Sequence, residues 1–169
     1  GHGAVVAVID TGYLPRSDLV DNVIPGYDFV SDRLRANDGN GRDADAQDPG
    51  DWVGFFDFFC FPFNFFPTNS SWHGTHVAGT IAAVTNNTVG VAGVAPSAKI
   101  LPVRVLGKCG GTTSDIVDAI IWSSGGSVSG VPNNNNPADV INMSLGGSGS
   151  CDSATQDAIN QARANGSTV

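Results

Sequence analysis

Six apolar residues in a row, AVVAVI at positions 4–9, give way abruptly to Asp10-Thr11-Gly12. A short continuous apolar run closed by turn residues predicts a strand buried on both faces, with a polar residue at its C-terminal end. HVAGTIAAV, His76 to Val84, has helical length and composition; it predicts a helix starting just after Gly74-Thr75 and stopping at TNNTVG. His73 then lies at the mouth of that helix. KILPVRVL, Lys99 to Leu106, is rich in branched residues and ends at Gly107, which predicts a second strand followed by the loop KCGGTT. Ser114 or Asp115 caps the next predicted helix, which runs through Trp122 with Ile116, Val117, Ile120 and Ile121 on one stripe.

After the asparagine loop GVPNNNNPA, DVINMSL reads as a third strand ending at Gly146-Gly147. Ser153 and Gln156 form an S-x-x-Q capping box for a helix to about Asn165, and Gly166 is placed to stop it. Strands alternating with helices at this spacing predict right-handed βαβ units, that is, an α/β fold with a mostly parallel sheet and helices on both faces. Ser167-Thr168-Val169 stands where the next strand begins. An open sheet edge there is a liability, so further residues are expected after Val169.

Composition narrows the function classes. With 169 residues the chain has the length of one domain, and 41% hydrophobic against 14% charged residues fits a globular protein. A net charge of −8 with only eight Lys and Arg speaks against a phosphate-neutralising surface, so nucleic acid is not an expected partner. All sixteen acids are aspartate, a residue suited to turns, caps and calcium loops. Eight of the nine phenylalanines crowd between Gly54 and Ser70, but Asp57, Pro62, Asn64 and Pro67 break the tract well short of the roughly 20 residues of a membrane span. No charged-then-apolar leader opens the chain, so any targeting segment is expected outside this numbering.

In open α/β sheets, chemistry gathers at the carboxyl ends of strands. Asp10, the loop from Gly107 to Thr113 and the loop from Ser144 to Gly147 all occupy such ends, and His73 begins a helix that can face them. An Asp with a His suggests a pair that activates a nucleophile, the carboxylate fixing the imidazole tautomer and stabilising the imidazolium. Spacing alone leaves the plainer readings open: Asp10 as a turn former and His73 as a satisfied structural histidine.

The segments VAVIDTG, HGTHVAGTIA, GVAGVAPSAKILPVRVL and VINMSLGG, in this order, resemble the successive signatures of the subtilisin-like serine proteases, and VLGKCGGTTSDI resembles their secreted bacterial branch. The resemblance implies the three-layer subtilisin-like fold and an endopeptidase working through an acyl-enzyme. It makes Asp10 the triad aspartate and His73 the general base, and leaves His76 outside the catalytic set. The nucleophile, in a G-T-S-M-A-like segment, and the oxyanion-hole asparagine, in a segment like AAGN, are expected beyond Val169. Residues 1–169 are therefore expected to be the N-terminal portion of a single catalytic domain and inactive alone.

Gly110 and Gly111 resemble one substrate-binding edge, and Ser144, Leu145 and Gly146 the other. Protein or peptide substrates are implied, with proteinaceous inhibitors or the protein's own propeptide as further partners. DGNGRDADAQDPGD predicts a calcium loop through Asp38, Asn40, Asp43, Asp45 and Asp48, against the plainer reading of a solvated acidic loop. TNNTVGV resembles a second family calcium loop, with Asp18 and Asn87 as ligands. Cys60 and Cys109 both flank the expected site and are expected to be bridged in an extracellular setting, with Cys151 paired beyond Val169; two free thiols are the alternative in a reducing one. The phenylalanine tract falls in the family's variable loop. Its rings pack under that loop, line the cleft, or reflect a misread stretch. The contrasting functional reading is a non-catalytic, calcium-dependent binding module on the same fold.

Overall fold

A computed structural model of the chain describes residues 1–55, 57, 60 and 66–169. Four strands, β1 (Val5–Asp10), β2 (Tyr27–Asp28), β3 (Lys99–Arg104) and β4 (Val140–Asn142), form one sheet in the order β2-β3-β1-β4. All three pairings are parallel, with Ile9 opposite Val103 and Val8 opposite Asn142. Parallel neighbours require crossovers, and the crossovers carry α1 (Arg33–Ala36), α2 (His73–Ala82) and α3 (Thr113–Ser123). Helix α4 (Ser153–Ala164) follows β4. Among the described residues no helix is long and apolar enough to cross a membrane.

β1 explains its own continuous hydrophobicity. Val6 and Val8 share a buried cluster with Ala78 and Ala82 of α2, while Ala7 and Ile9 share the opposite one with Ile120 of α3 and Ala158 and Ala162 of α4. Alternate side chains serve alternate faces, and both faces are covered. Ile9, Leu101 and Ile120 are wholly buried, and each such side chain contributes about 1.5–3 kcal/mol by leaving water.

Four element boundaries depart from the sequence reading. Helix α2 begins at His73, three residues earlier than expected, behind Trp72 at φ 51°. Gly74 does not break this helix. A Cβ there would lie 2.2 Å from the Gly12 carbonyl oxygen, so the glycine permits close approach to the turn after β1. α3 is capped by Thr112, whose side chain accepts the Asp115 amide, in place of Ser114 or Asp115. The capping box at Ser153 does not form; Asp152 caps α4 by accepting the Thr155 amide at 2.8 Å. A carboxylate complements the positive helix start better than a hydroxyl does. β4 is also shorter than DVINMSL, because residues 144–147 leave the sheet. Beside it, Thr168 pairs in parallel with Val140, where the next strand was expected.

The carboxyl ends of β1 and β3 are tied together. The amides of Val105 and Leu106 both donate to the Asp10 carbonyl, at 2.9 and 3.2 Å. Arg104, wholly buried at the end of β3, bonds Asp28, the Ala36 carbonyl, and Asp38 at 2.8 Å. This cation draws β2, α1 and the acidic loop against the end of the sheet.

Candidate active site

Asp10 closes β1 and is fully buried. One oxygen, Oδ1, accepts the Thr11 amide at 2.7 Å. His73 opens α2, and its Nδ1 lies 2.9 Å from both Asp10 oxygens. A carboxylate can accept there only from a protonated Nδ1, which leaves Nε2 as the acceptor nitrogen of a neutral ring. The His73 side chain remains 47% exposed while Asp10 is 0% exposed. A buried acid behind an open imidazole is the arrangement that takes a proton from an approaching hydroxyl and stabilises the resulting imidazolium.

Three further residues hold the turn after β1 against the start of α2. The Thr11 hydroxyl accepts the Gly74 amide at 3.0 Å and donates to Asp48 Oδ2 at 2.7 Å. Asp48 Oδ1 accepts the Gly50 amide at 2.8 Å. Burial pushes the Asp48 carboxyl above its ordinary value, against the bonds from Thr11 and Gly50. The Thr75 hydroxyl, one residue on, accepts the Leu14 amide at 2.9 Å. Thr11 was legible only as the neighbour of Asp10, and nothing in the sequence pattern connected it to Asp48. His76 is exposed and lines a separate cavity with Arg16 and Thr80.

Two cavities flank Gly110. One, of about 360 Å³, includes Thr11, Asp51, Ser71, His73 and Leu106; the other, of about 830 Å³, includes Gly111, Ile116, Met143 and Ser144–Gly146. Leu106, Cys109 and Gly110 line both. The structure therefore brings Gly110, Gly111, Ser144, Leu145 and Gly146 around the larger cavity, which adjoins the one lined by His73 through Leu106, Cys109 and Gly110. Among the described residues, the main chains of Gly111 and of Ser144–Gly146 have no intramolecular hydrogen-bond partner.

Cys60 and Cys109 form a disulfide with Cα atoms 5.6 Å apart, and Cys151 is free and exposed. Beside the bridge, Lys108 Nζ lies 3.2 Å from Asp57 and 3.5 Å from the Trp52 ring centre. Hydrogen bonding from Gly54, aided by Lys108, holds the Asp57 carboxyl below its ordinary value. Of the phenylalanine tract, Phe55 and Phe66 are exposed. The expectations for Phe56, Phe58, Phe59, Phe61, Phe63 and Phe65 lie outside the described residues.

The acidic loop does not fit one calcium ion. Asp38 turns to Arg104; Asp43 accepts from the Asn40 side chain and the Asp45 amide; Asp45 accepts the Gln47 amide; Asp48 is committed to Thr11 and Gly50. Among the described residues, no three His, Cys or acidic side chains converge as a metal cluster. The mutual repulsion that suggested a cation is relieved instead by Arg104 and by main-chain amides, forming Asx turns. Asp18 and Asn87 do meet: Asn87 Nδ2 donates to Asp18 Oδ1 at 2.7 Å, and the Val91 amide to Oδ2 at 2.9 Å.

The subtilase family model matches residues 1–169. The chain belongs to the subtilase family. It is 61% identical over 169 residues to the extracellular protease of Xanthomonas campestris pv. campestris, covering all of this chain and 29% of that protein. With the extracellular basic protease of Dichelobacter nodosus it shares 55% identity over 165 residues, covering 95% of this chain and 27% of the relative. A solved protease structure from Pseudoalteromonas arctica superposes with a TM-score of 0.93 at 67% identity, covering 98% of this chain and 48% of that one. The chain thus spans under a third of these curated relatives. As a subtilase it has the α/β fold anticipated from the strand and helix alternation, and VAVIDTG and HGTHVAGTIA are the segments that bring Asp10 and His73 together.

Proposed function

We propose that the complete protein is an extracellular serine endopeptidase, that residues 1–169 are the N-terminal portion of its catalytic domain, and that Asp10 and His73 supply two members of its triad. The observation that carries this reading is the contact of His73 Nδ1 with both oxygens of buried Asp10, at 2.9 Å each, in a chain matched throughout by the subtilase family. His73 Nε2 takes the proton of a serine hydroxyl supplied outside residues 1–169. Asp10 keeps the ring in the correct tautomer and balances its charge while the acyl-enzyme forms and is hydrolysed.

A peptide substrate lies extended between the Gly110–Gly111 edge and Ser144–Gly146, adding a strand to each unpaired main chain, and Leu145 lines the cavity for the residue before the scissile bond. A propeptide or a proteinaceous inhibitor would use the same edges. The extracellular setting is supported by the names of the two relatives and by the Cys60–Cys109 bridge. Calcium is general in this family. We assign it to Asp18 and Asn87, with main-chain carbonyls of residues 85–91; the ion would replace the Asn87 side-chain amide as the partner of Asp18 Oδ1 and would stiffen the loop after α2.

Labelling the intact protein with a fluorophosphonate tests the reading. An adduct that is lost in His73→Ala supports it. Absence of adduct in the native, calcium-loaded protein sinks it in favour of a binding module.

A further inference from the structure

Arg35, in α1, reaches a segment more than seventy residues away. Its Nη1 donates to the carbonyls of Lys108 at 3.2 Å and Cys109 at 3.0 Å, and approaches that of Gly110 at 3.4 Å. Its own carbonyl accepts the Lys108 amide at 2.9 Å. Both the side chain and the backbone of one residue therefore hold the same turn. A Cβ on Gly107 would lie 2.1 Å from the Arg35 carbonyl oxygen, so the close approach depends on that glycine too.

The turn is tight and unfavourable by itself. Gly107 and Gly110 exchange amide-to-carbonyl bonds at 3.1 Å, and Cys109 sits at φ 63°, a left-handed conformation that a residue with a Cβ adopts at a cost. Successive carbonyl oxygens crowd toward one side in such a turn, and a single guanidinium collects them. Among the described residues Arg35 makes no ion pair with a carboxylate, and its Nε is buried without a partner. A partly desolvated cation is costly to keep; here its polar contacts go to the shape of this turn.

The turn carries the Gly110–Gly111 edge between the two cavities. From the opposite side it is held by the Cys60–Cys109 bridge and by Lys108 on Asp57 and Trp52. We propose that Arg35 is a positioning residue for peptide substrate, setting the direction of the Gly110–Gly111 edge through the carbonyls of Lys108, Cys109 and Gly110. The inference rests on the peptidase reading and on that edge receiving substrate. Arg35 contacts neither Asp10 nor His73, so its effect falls on extended substrates and spares the acyl chemistry.

The test compares Arg35→Ala with wild type in the full-length protein, using a tetrapeptide substrate, a single-residue ester and the rate of fluorophosphonate labelling. The expected result is a KM for the tetrapeptide raised about tenfold, with its kcat, the ester and the labelling rate all within about twofold. Arg35→Lys, which keeps the charge but loses the planar fork, is expected to fall between the two. Equal losses on tetrapeptide and ester, or no loss on either, overturn the proposal. If the alanine variant does not fold, the lysine variant carries the same comparison. A wild-type protein that does not label overturns the peptidase reading beneath it, a result distinct from the others.

Discussion

The hydroxyl of Thr11 donates to Asp48 across a distance of 2.7 Å, and this bond decides what the hydroxyl can do on its other side. With its proton committed to Asp48, the oxygen is left to accept, and it accepts the Gly74 amide. The residue after Asp10 is thereby fastened to the residue after His73. Removing either end leaves a buried polar group unpaired, which costs more than the bond itself contributes.

On the proposed reading, Thr11→Val is therefore expected to lower kcat of the full-length protein about tenfold with little change in KM, because the Asp10–His73 pair loses alignment and the substrate edges do not. The variant should also lose about 1–3 kcal/mol of stability, read from denaturant unfolding. An unchanged kcat would show that α2 holds His73 in place without Thr11.

Asp10→Asn leaves the shape of the site intact but presents an amide to His73 Nδ1, favouring the wrong tautomer. A fall in kcat of about 10⁴ is expected at neutral pH, with peptide KM nearly unchanged. Steady-state kinetics on the full-length variant check it.

Burial raises the Asp28 carboxyl from 3.8 to about 7, against the opposing pull of the Arg104 charge. The folded state then keeps a proton that the unfolded state releases, so this group's contribution is fully present below about 4 and is lost as pH rises toward about 7. Melting temperatures of wild type and Asp28→Asn, measured from pH 4 to 8, should diverge in the variant's favour as pH rises, with Arg104 still paired to Asp38. Parallel curves would contradict the assignment.

The Cys60–Cys109 bridge closes a loop of sequence separation 49. Cross-linking of that length is worth about 4 kcal/mol in the chain-entropy view. Cys60→Ser with Cys109→Ser should lose about 2–4 kcal/mol, since Lys108 still ties the two loops through Asp57 and Trp52. Denaturant midpoints of the pair under oxidising conditions give the comparison.

Removing calcium with EDTA should lower the melting temperature of the wild-type protein, and Asp18→Ala should remove that sensitivity. Substituting Asp43 or Asp45 should leave it intact, because those carboxylates serve their own loop. If EDTA still shifts Asp18→Ala, the ion lies elsewhere.

Much of this architecture was legible along the chain because it is periodic. β1, β3 and the bodies of α2, α3 and α4 follow from apolar runs and stripes; position alone left Asp10 and His73 open to plainer readings, and the ordered motif segments singled them out. The start of α2 was misplaced because Gly74 looks like a helix breaker when only its neighbours are known. Its true requirement comes from the Gly12 carbonyl, more than sixty residues earlier. The cap at Asp152 went unseen for a smaller reason: two adjacent residues can each cap, and the stronger one takes the position.

The sequence by itself determined a parallel α/β scaffold and, through segments resembling the subtilases, singled out Asp10 and His73, because hydrophobic spacing and short motifs act locally. Only the tertiary structure decided what the remaining charges do. Asp48 left the imagined metal loop for Thr11, Asp38 turned to Arg104, and Arg35 closed on the carbonyls beside Cys109. An aspartate or arginine has many possible partners in solution, and burial selects among them by proximity, which no local pattern encodes.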